Sequence, residues 1–373
     1  MKKLLFLMLV LAMFACTEPD FPPQQNGDDD KTEQPNTPNN PDTPDNPDQP
    51  NDPNTPDKPD TPDLPNTPDV PQPEVFKRDT IKDNYVEYRT GNLPIIISAP
   101  HGSTTKGGTV DGKSLVKRTE SNLKESDCCS FSTSQDAYTM TLAQFIEAAI
   151  YEKTGKYPYV VIAKQHRSYI DFNRHKECAI PYVNGAYSIA NEISYDTYHE
   201  YATAASADVE KKFGQGILLD IHGHGHDVQQ VEIGYLLSKT QLTKTDDELN
   251  VSDSYAKKSS IYSLSLRNKN NLSFVELLRG EFSFGDYLKN AGLACVPHSG
   301  KLNPADKESY FSGGYISQSQ GSSYEYGGTV DAIQLEFGNK VRNDESKRAA
   351  AGKSVAKAVI EYMKKHYNTT AFD

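Results

Sequence analysis

Tryptophan is absent from this 373-residue sequence, and cysteine occurs only five times. There is no Gly-x-Ser-x-Gly turn and no His-Glu-x-x-His pair, so serine-hydrolase and thermolysin-like readings have no support. No apolar run approaches the ~20 residues needed to cross a bilayer. Proline is nearly missing from most of the chain: 17 of the 23 lie between Pro19 and Pro73. An excess of positive charge is missing as well. The net charge of −12 is concentrated in residues 17–75, where 15 acids face two lysines, while residues 76–373 hold 36 acids and 35 bases. A basic nucleic-acid footprint is therefore absent from both parts. The acidity belongs to a tail and not to a folded surface.

What is present begins with a targeting pattern. Lys2 and Lys3 precede an apolar run from Leu4 to Phe14, followed by Ala15-Cys16. A basic flank and a run this short fit an export signal, and the small residue before a cysteine resembles the lipobox of bacterial lipoproteins. Residues 1–16 are thus expected to be a lipoprotein signal peptide, with Cys16 as the lipid attachment site. The alternative is an ordinary signal peptide with a chance cysteine. The expected location is the bacterial cell envelope, in the periplasm or on the outer surface, with the lipid as the only membrane contact.

Residues 17–75 repeat proline about every third position, with aspartate between. Such a composition cannot bury a core and favours extended, polyproline-like conformations. At ~3.1 Å per residue the segment would reach roughly 180 Å, and it is expected to be a disordered tether. Residues 76–373 remain, enough for a full hydrophobic core. After Cys16 the cysteines are Cys128, Cys129, Cys178 and Cys295. The adjacent pair could not easily both find partners, so one disulfide is expected, as an exported protein permits.

From residue 76 strand and helix signals alternate. Pro94-Ile95-Ile96-Ile97-Ser98, Tyr159 to Ala163 and Ile217 to Ile221 are short continuous apolar runs, as in strands buried on both faces. Two more strands are expected at Ala294 to Val296 and Ala332 to Leu335. Helices are expected from Asp136 to Gly155, over Ala186 to Phe213, around Asp286 to Leu288, and from Lys347 to His366. The fold class is therefore α/β, a mostly parallel or mixed sheet flanked by helices.

Sheets of this kind place ligands beyond the carboxyl ends of their strands. Three of those ends are densely polar: Ala99-Pro100-His101-Gly102, Asp220-Ile221-His222-Gly223-His224-Gly225-His226, and Gln334-Leu335-Glu336-Phe337-Gly338. A lone histidine is more often a satisfied polar residue than a ligand, and a Gly-His run can be a flexible loop. Histidines at two strand ends with acids nearby favour a metal. A catalytic zinc commonly takes two histidines and a carboxylate and leaves a position for water, and a separate carboxylate then moves the proton. Between these ends lies His166-Arg167-Ser168-Tyr169-Ile170-Asp171-Phe172-Asn173-Arg174. Its arginines suit a carboxylate through paired hydrogen bonds; a structural ion pair of Arg174 with Asp171 or Asp220 is the plainer reading. Gly107 to Ser114 matches the phosphate-loop pattern letter for letter, but no strand runs directly into it and no apolar helix follows.

The ordered series resembles the N-formylglutamate amidohydrolase family. It comprises Ser98-Ala99-Pro100-His101-Gly102, Asp136, Asp171-Phe172-Asn173-Arg174, Tyr198-His199, Asp220-Ile221-His222, Arg279-Gly280, Gly313-Gly314-Tyr315-Ile316 and Ile333-Gln334-Leu335-Glu336. The resemblance covers roughly residues 94–340. It implies a zinc carboxypeptidase- and aspartoacylase-like fold, and a Zn2+ enzyme that cuts an amide beside a carboxylate-bearing group. By position, it implies His101, Asp136 and His222 as metal ligands and Glu336 as general base and acid. It implies Asn173 and Arg174 as substrate binders, with Arg167 binding the carboxylate or stabilising the oxyanion. The carboxypeptidase pattern has a glutamate three residues after the first histidine, where this chain has Thr104. Asp136 is therefore the best match for the carboxylate ligand and Glu120 the fallback. His224 and His226 are donors beyond the pattern, able to compete for the metal or contact substrate. The expected substrate is a small molecule or peptide bearing a carboxylate, such as an N-acyl amino acid, a peptidoglycan fragment or a polyglutamate. The alternative is a non-catalytic surface lipoprotein that binds metal or ligand on the same fold.

If residues 17–75 are a tether, a chain beginning at Glu74 should melt at the same temperature as one that retains them. A large drop in melting temperature would show that the tail packs on the remainder.

Overall fold

The computed structural model describes residues 76–125 and 131–373. The signal peptide with Cys16, the tether at 17–75, Cys128 and Cys129 lie outside the described residues. Eight strands form one mixed sheet. In chain order they are β1 (Thr80–Lys82), β2 (Val86–Arg89), β3 (Ile95–Ala99), β4 (Tyr159–Ala163), β5 (Gly216–His224), β6 (Val231–Gly234), β7 (Cys295–Val296) and β8 (Val330–Gly338). Across the sheet the order is β1-β2-β4-β3-β5-β8-β6-β7. The four central strands are mutually parallel; β2 and β6 flank them antiparallel. Three long helices, α1 (Thr139–Thr154), α2 (Ile189–Phe213) and α3 (Glu345–His366), cover the two faces.

Side chains alternate across a strand, so each central strand feeds two cores. Ile95, Ile97, Ile217, Leu219, Ile221, Ile333, Leu335 and Phe337 pack in one buried cluster with α1 and α3. Ile96, Val161, Leu218 and Ala332 pack in the other with α2. Coverage on both faces is why these strands read as continuous apolar runs. The α2 face then changes character along the strands. On β5, Leu218 is followed on that face by Asp220, His222 and His224; on β8, Ala332 is followed by Gln334 and Glu336; on β3, Ile96 is followed by Ser98. All of these polar residues are buried.

Several boundaries differ from the sequence expectation. The strand expected to end at Ile221 continues to His224, so His222-Gly223-His224 lies within β5 and not in a loop beyond it. The helix expected to open at Asp136 begins at Thr139, because Tyr138 takes a left-handed conformation with φ 67°. That turn leaves Asp136 outside the helix. The helix expected from Ala186 begins at Ile189, since Ala186–Tyr187 pairs with Tyr182–Val183 in a hairpin. The phosphate-loop look-alike is another hairpin. Thr109–Val110 pairs with Lys113–Ser114 across Asp111 and Gly112, both at positive φ, as an Asp-Gly hairpin turn requires. Of the cysteines, Cys178 is disulfide-bonded and Cys295 is a free, buried thiol. Among the described residues no helix is long and apolar enough to cross a membrane.

At the end of α3, His366 is fully buried and its Nε2 donates to the Phe282 carbonyl at 2.7 Å. Burial pushes its pKa down to about 4, against an ordinary value of about 6.5. Between these values the unfolded chain binds the proton and the folded chain does not, so stability falls as pH drops from about 6.5 to about 4. His366→Gln should therefore lose less thermal stability between pH 7 and pH 4.5 than the unaltered chain. An unchanged pH dependence in the variant would show that His366 is not the group responsible.

Candidate metal centre

Three separate elements deliver the central side chains. His101 follows β3 by two residues, His222 stands on β5, and Asp136 sits in the turn before α1. The turn is pinned to the strand end by main-chain contact: Asp136 N donates to the His101 carbonyl at 3.1 Å, and Thr139 Oγ1 donates to the Asp136 carbonyl at 2.9 Å. The first turn of α1 comes so close that a Cβ on Gly102 would lie 2.5 Å from Met140 N. Glycine after His101 is thus a packing requirement.

One ligand atom from each of His101, Asp136 and His222 lies within 4.8 Å of the others, and all three residues are buried. His222 Nδ1 is 3.1 Å and His101 Nδ1 3.5 Å from the same Asp136 oxygen, Oδ2. Each imidazole has a second carboxylate at its far side. His101 Nε2 is 2.7 Å from Asp171 Oδ1, and His222 Nε2 is 2.9 Å from Asp220 Oδ2. A carboxylate behind a ligating histidine fixes the ring and its tautomer and leaves the other nitrogen free for a metal. His101 Nδ1 has no hydrogen-bond partner although it is buried. The donor set, two imidazole nitrogens and one carboxylate, suits zinc.

The local charges also call for a cation. Burial works against an imidazolium at His222, yet Asp220 and Asp136 outweigh it and hold its pKa well above the usual range. Burial would raise Asp136, but the adjoining imidazoles of His101 and His222 keep it below the usual carboxylate range. Asp171 is likewise held low by Arg167 and His101 against its burial.

Behind each carboxylate lies further support. Ser98 Oγ donates to Asp220 Oδ1 at 2.7 Å and lies 2.6 Å from the Tyr198 hydroxyl. The single serine hydrogen is spent on Asp220, so Tyr198 must donate to Ser98. Arg167 Nε donates to Asp171 Oδ2 at 2.8 Å. Arg118, buried beneath, donates to the carbonyls of Ser132, Arg167 and Cys178. Asp171 is thus the partner of Arg167 and His101, and Asp220 that of Ser98 and His222.

Glu336 lies in register with His222 across β8 and β5, with Oε1 3.9 Å from His222 Nδ1. Its Oε1 accepts from Gln334 Nε2 at 2.9 Å, while Oε2 is buried without a hydrogen-bond partner. Burial pushes its pKa up to about 8. Asn173, expected to bind substrate, has its amide engaged within the protein. Its Oδ1 accepts from Ile316 N at 2.8 Å and its Nδ2 donates to Gln334 at 3.3 Å. Arg174 is half-buried, and its main-chain carbonyl accepts from the Tyr195 hydroxyl at 2.7 Å. Glu120, the fallback carboxylate, is exposed in a short 3-10 turn. His224 and His226 gather with Glu232 in a separate buried group. Arg279, part of the resembling series, is structural: it donates to the carbonyls of Leu242 and Lys244 and to Asp246.

Sequence reasoning missed Arg118 and Arg342, and gave Gln334, which it placed at a polar strand end, no role of its own. Arg342 donates to the carbonyls of Ala137, His224 and Phe337, tying the Asp136 turn to the ends of β5 and β8. A Cβ on Gly223 would lie 2.1 Å from Arg342 Nε, so the glycine between the two histidines admits the guanidinium. No local pattern marks such a residue; Asp220, two before His222 on one strand face, was readable as its neighbour.

No protein-family model matches the chain, and no curated protein does. Among solved structures it is similar to an N-formylglutamate amidohydrolase from Ralstonia eutropha JMP134, with 11% identity over 76% of this chain and 98% of that one, at a TM-score of 0.40. It is similar to a bacteriophage poly-gamma-glutamate hydrolase, with 11% identity over 75% and 89% and a TM-score of 0.32. A metallo-carboxypeptidase from Burkholderia cenocepacia has 12% identity over 75% and 60%, with a TM-score of 0.31. The family that the ordered motifs resemble thus recurs among these structures.

His101→Ala and His222→Ala should each lose one equivalent of bound zinc relative to the unaltered chain. Unchanged zinc in either variant would remove that residue from the ligand set. Asp220→Asn should keep the site but weaken it about 10–100-fold in competition with a chelator.

Proposed function

We propose that this chain is a zinc-dependent amidohydrolase that cleaves an amide beside a carboxylate-bearing group. The observation that carries this reading is the pairing of a three-donor cluster with Glu336. The donors of His101, Asp136 and His222 converge within 4.8 Å, and Glu336 stands 3.9 Å from His222 with one oxygen unpartnered. Bound by the three donors, zinc would polarise a carbonyl and lower the pKa of a water. Asp171 and Asp220 hold the two imidazoles with their Nδ1 atoms toward Asp136. Glu336, on the neighbouring strand, takes a proton at Oε2 from the attacking water and returns it to the leaving amine.

Arg167 is oriented by Asp171 and feels the charges of Asp136 and Glu336; it offers its remaining N–H groups to an oxyanion or a substrate carboxylate. Arg174 is the second cation for that carboxylate, with Asn173 holding the segment against Gln334 and Ile316. The substrate class is an N-acyl amino acid, a peptide, a polyglutamate or a peptidoglycan fragment. Export and lipid attachment at Cys16 belong to the same reading, and the disulfide at Cys178 supports an oxidising compartment. A non-catalytic metal binder would have no use for a buried Glu336 whose Oε2 is left unpartnered.

Glu336→Gln keeps the shape and the hydrogen bond to Gln334 but removes the basic oxygen. Zinc content should stay, while turnover in a panel of acyl-amino acids, peptides and peptidoglycan fragments falls ~10²–10⁴-fold. Unchanged turnover with zinc still bound would assign the proton transfer to another acid. Arg174→Lys should impair substrates with a free carboxylate more than their amidated counterparts.

A further inference from the structure

We infer that Tyr198 and Ser98 are positioning residues for the metal centre: a chain of two hydroxyls, running from α2 through β3, orients Asp220 behind His222 and so sets how tightly His222 holds zinc. The inference rests on the centre formed by His101, Asp136 and His222. Four side chains follow one another without a gap. The Tyr198 hydroxyl donates to Ser98 Oγ at 2.6 Å, Ser98 Oγ donates to Asp220 Oδ1 at 2.7 Å, and His222 Nε2 lies 2.9 Å from Asp220 Oδ2. All four are buried, Tyr198 and Asp220 completely, so bulk water does not compete for these bonds.

Strand register builds the chain. Ser98 on β3 pairs directly with Asp220 on β5, so the two side chains stand side by side on the α2 face. Tyr198 enters from α2, with its ring against Phe172 and the centroids 4.7 Å apart. The donors and acceptors then fall into one order. Asp220 accepts at both oxygens, the serine hydrogen goes to Oδ1, and the tyrosine hydrogen fills a lone pair of the serine. Burial and the charge of Asp220 hold the phenol well above its ordinary pKa range, so Tyr198 remains a donor. With Oδ1 tethered to Ser98, Oδ2 faces Nε2, and His222 presents Nδ1 to the Asp136 oxygen 3.1 Å away.

The two ligand histidines are backed differently. Asp171, behind His101, receives Arg167 Nε at 2.8 Å and lies 3.8 Å from Arg118 Nη1. Two guanidinium charges there offset the carboxylate. The hydroxyls behind Asp220 are neutral; they orient it without cancelling its charge, which is left to act on His222. A carboxylate behind a ligating imidazole raises its basicity and fixes its ring. Zinc affinity at His222 therefore depends on a hydroxyl of α2 that never touches the metal or its ligands.

The test is the zinc dissociation constant from competition with a chelator, read beside the melting temperature of each zinc-free chain. Ser98→Ala should weaken zinc about 10-fold, as loss of an outer partner does. Tyr198→Phe keeps the ring on Phe172 and should cause a smaller, measurable loss. Ser98→Ala also strands the buried Tyr198 hydroxyl, which lowers the melting temperature. Adding Tyr198→Phe removes the stranded group, so the double variant should melt higher than Ser98→Ala alone yet hold zinc no better. A merely structural role would instead move stability and affinity together. In an Asp220→Asn chain neither substitution should weaken zinc further, because both act through that carboxylate. Tyr235→Phe removes a buried hydroxyl without a hydrogen-bond partner in the opposite core and should leave zinc affinity unchanged. If Ser98→Ala does not fold, Tyr198→Phe with and without Asp220→Asn decides. Unchanged affinity in Tyr198→Phe, or an equal loss with and without Asp220→Asn, would overturn the proposal. Failure of the centre itself is distinct, since His222→Ala would then keep its zinc, whereas a failed hydroxyl chain leaves that loss intact.

Discussion

Asp136, Asp171, Asp220 and Glu336 are all buried in one polar layer around His101 and His222, and burying an unpaired carboxylate costs several kcal/mol even after relaxation. The neighbourhood is organised to meet that cost. Arg167 and His101 take Asp171; His222 and Ser98 take Asp220; the two histidines share Asp136. Only Glu336 is left with an unpartnered oxygen, and burial raises its pKa. A divalent cation among the Nδ1 atoms and Asp136 would offset the excess negative charge more fully than a proton on His222 can. Removing one member of such a layer strands the charge of the next, so the whole layer behaves as a unit.

The sheet determines where the layer can sit. The α1/α3 face remains apolar to the ends of the strands, through Ile221, Leu335 and Phe337, and holds the sheet rigid. On the α2 face the same strands turn polar from Ser98, Asp220 and Gln334 onward. One residue in two therefore anchors the strand while its neighbour carries a polar side chain, which keeps the candidate site on stiff backbone. Arg342 joins this frame to the Asp136 turn by donating to three main-chain carbonyls, and Gly223 makes room for it. The neutral hydrogen-bond acceptors lining that path explain how a buried guanidinium is accommodated without a carboxylate of its own.

Much of the site was legible because its residue types are chemically constrained. Histidines ending two apolar runs, an acid at the end of a third, and the Asp-Phe-Asn-Arg segment between them carried the resemblance that grouped His101, Asp136, His222 and Glu336. The structure brings these four together. Local reading failed where backbone conformation, not side-chain pattern, decides. Asp136 resembled a helix start, but Tyr138 in the left-handed region interposes a turn that releases the carboxylate toward His101. Gly107 to Ser114 spells a phosphate loop, yet Asp111-Gly112 at positive φ closes a hairpin. The Gly-His run resembled a loop, whereas pairing with β8 through His224 extends it as strand.

By itself the sequence determined the α/β alternation, the apolar strands, the histidines available as ligands and the acid placed two residues beyond Gln334, because periodicity and residue chemistry are local properties. Only tertiary structure decided which acid faces which histidine. Asp171 and His101 are 70 positions apart, Asp136 and His222 are 86 apart, and their meeting depends on strand order and register. The same register separates His222 from His224: two residues apart on one strand, they belong to different clusters because Asp136 reaches one and Glu232, from the antiparallel strand beyond β8, reaches the other.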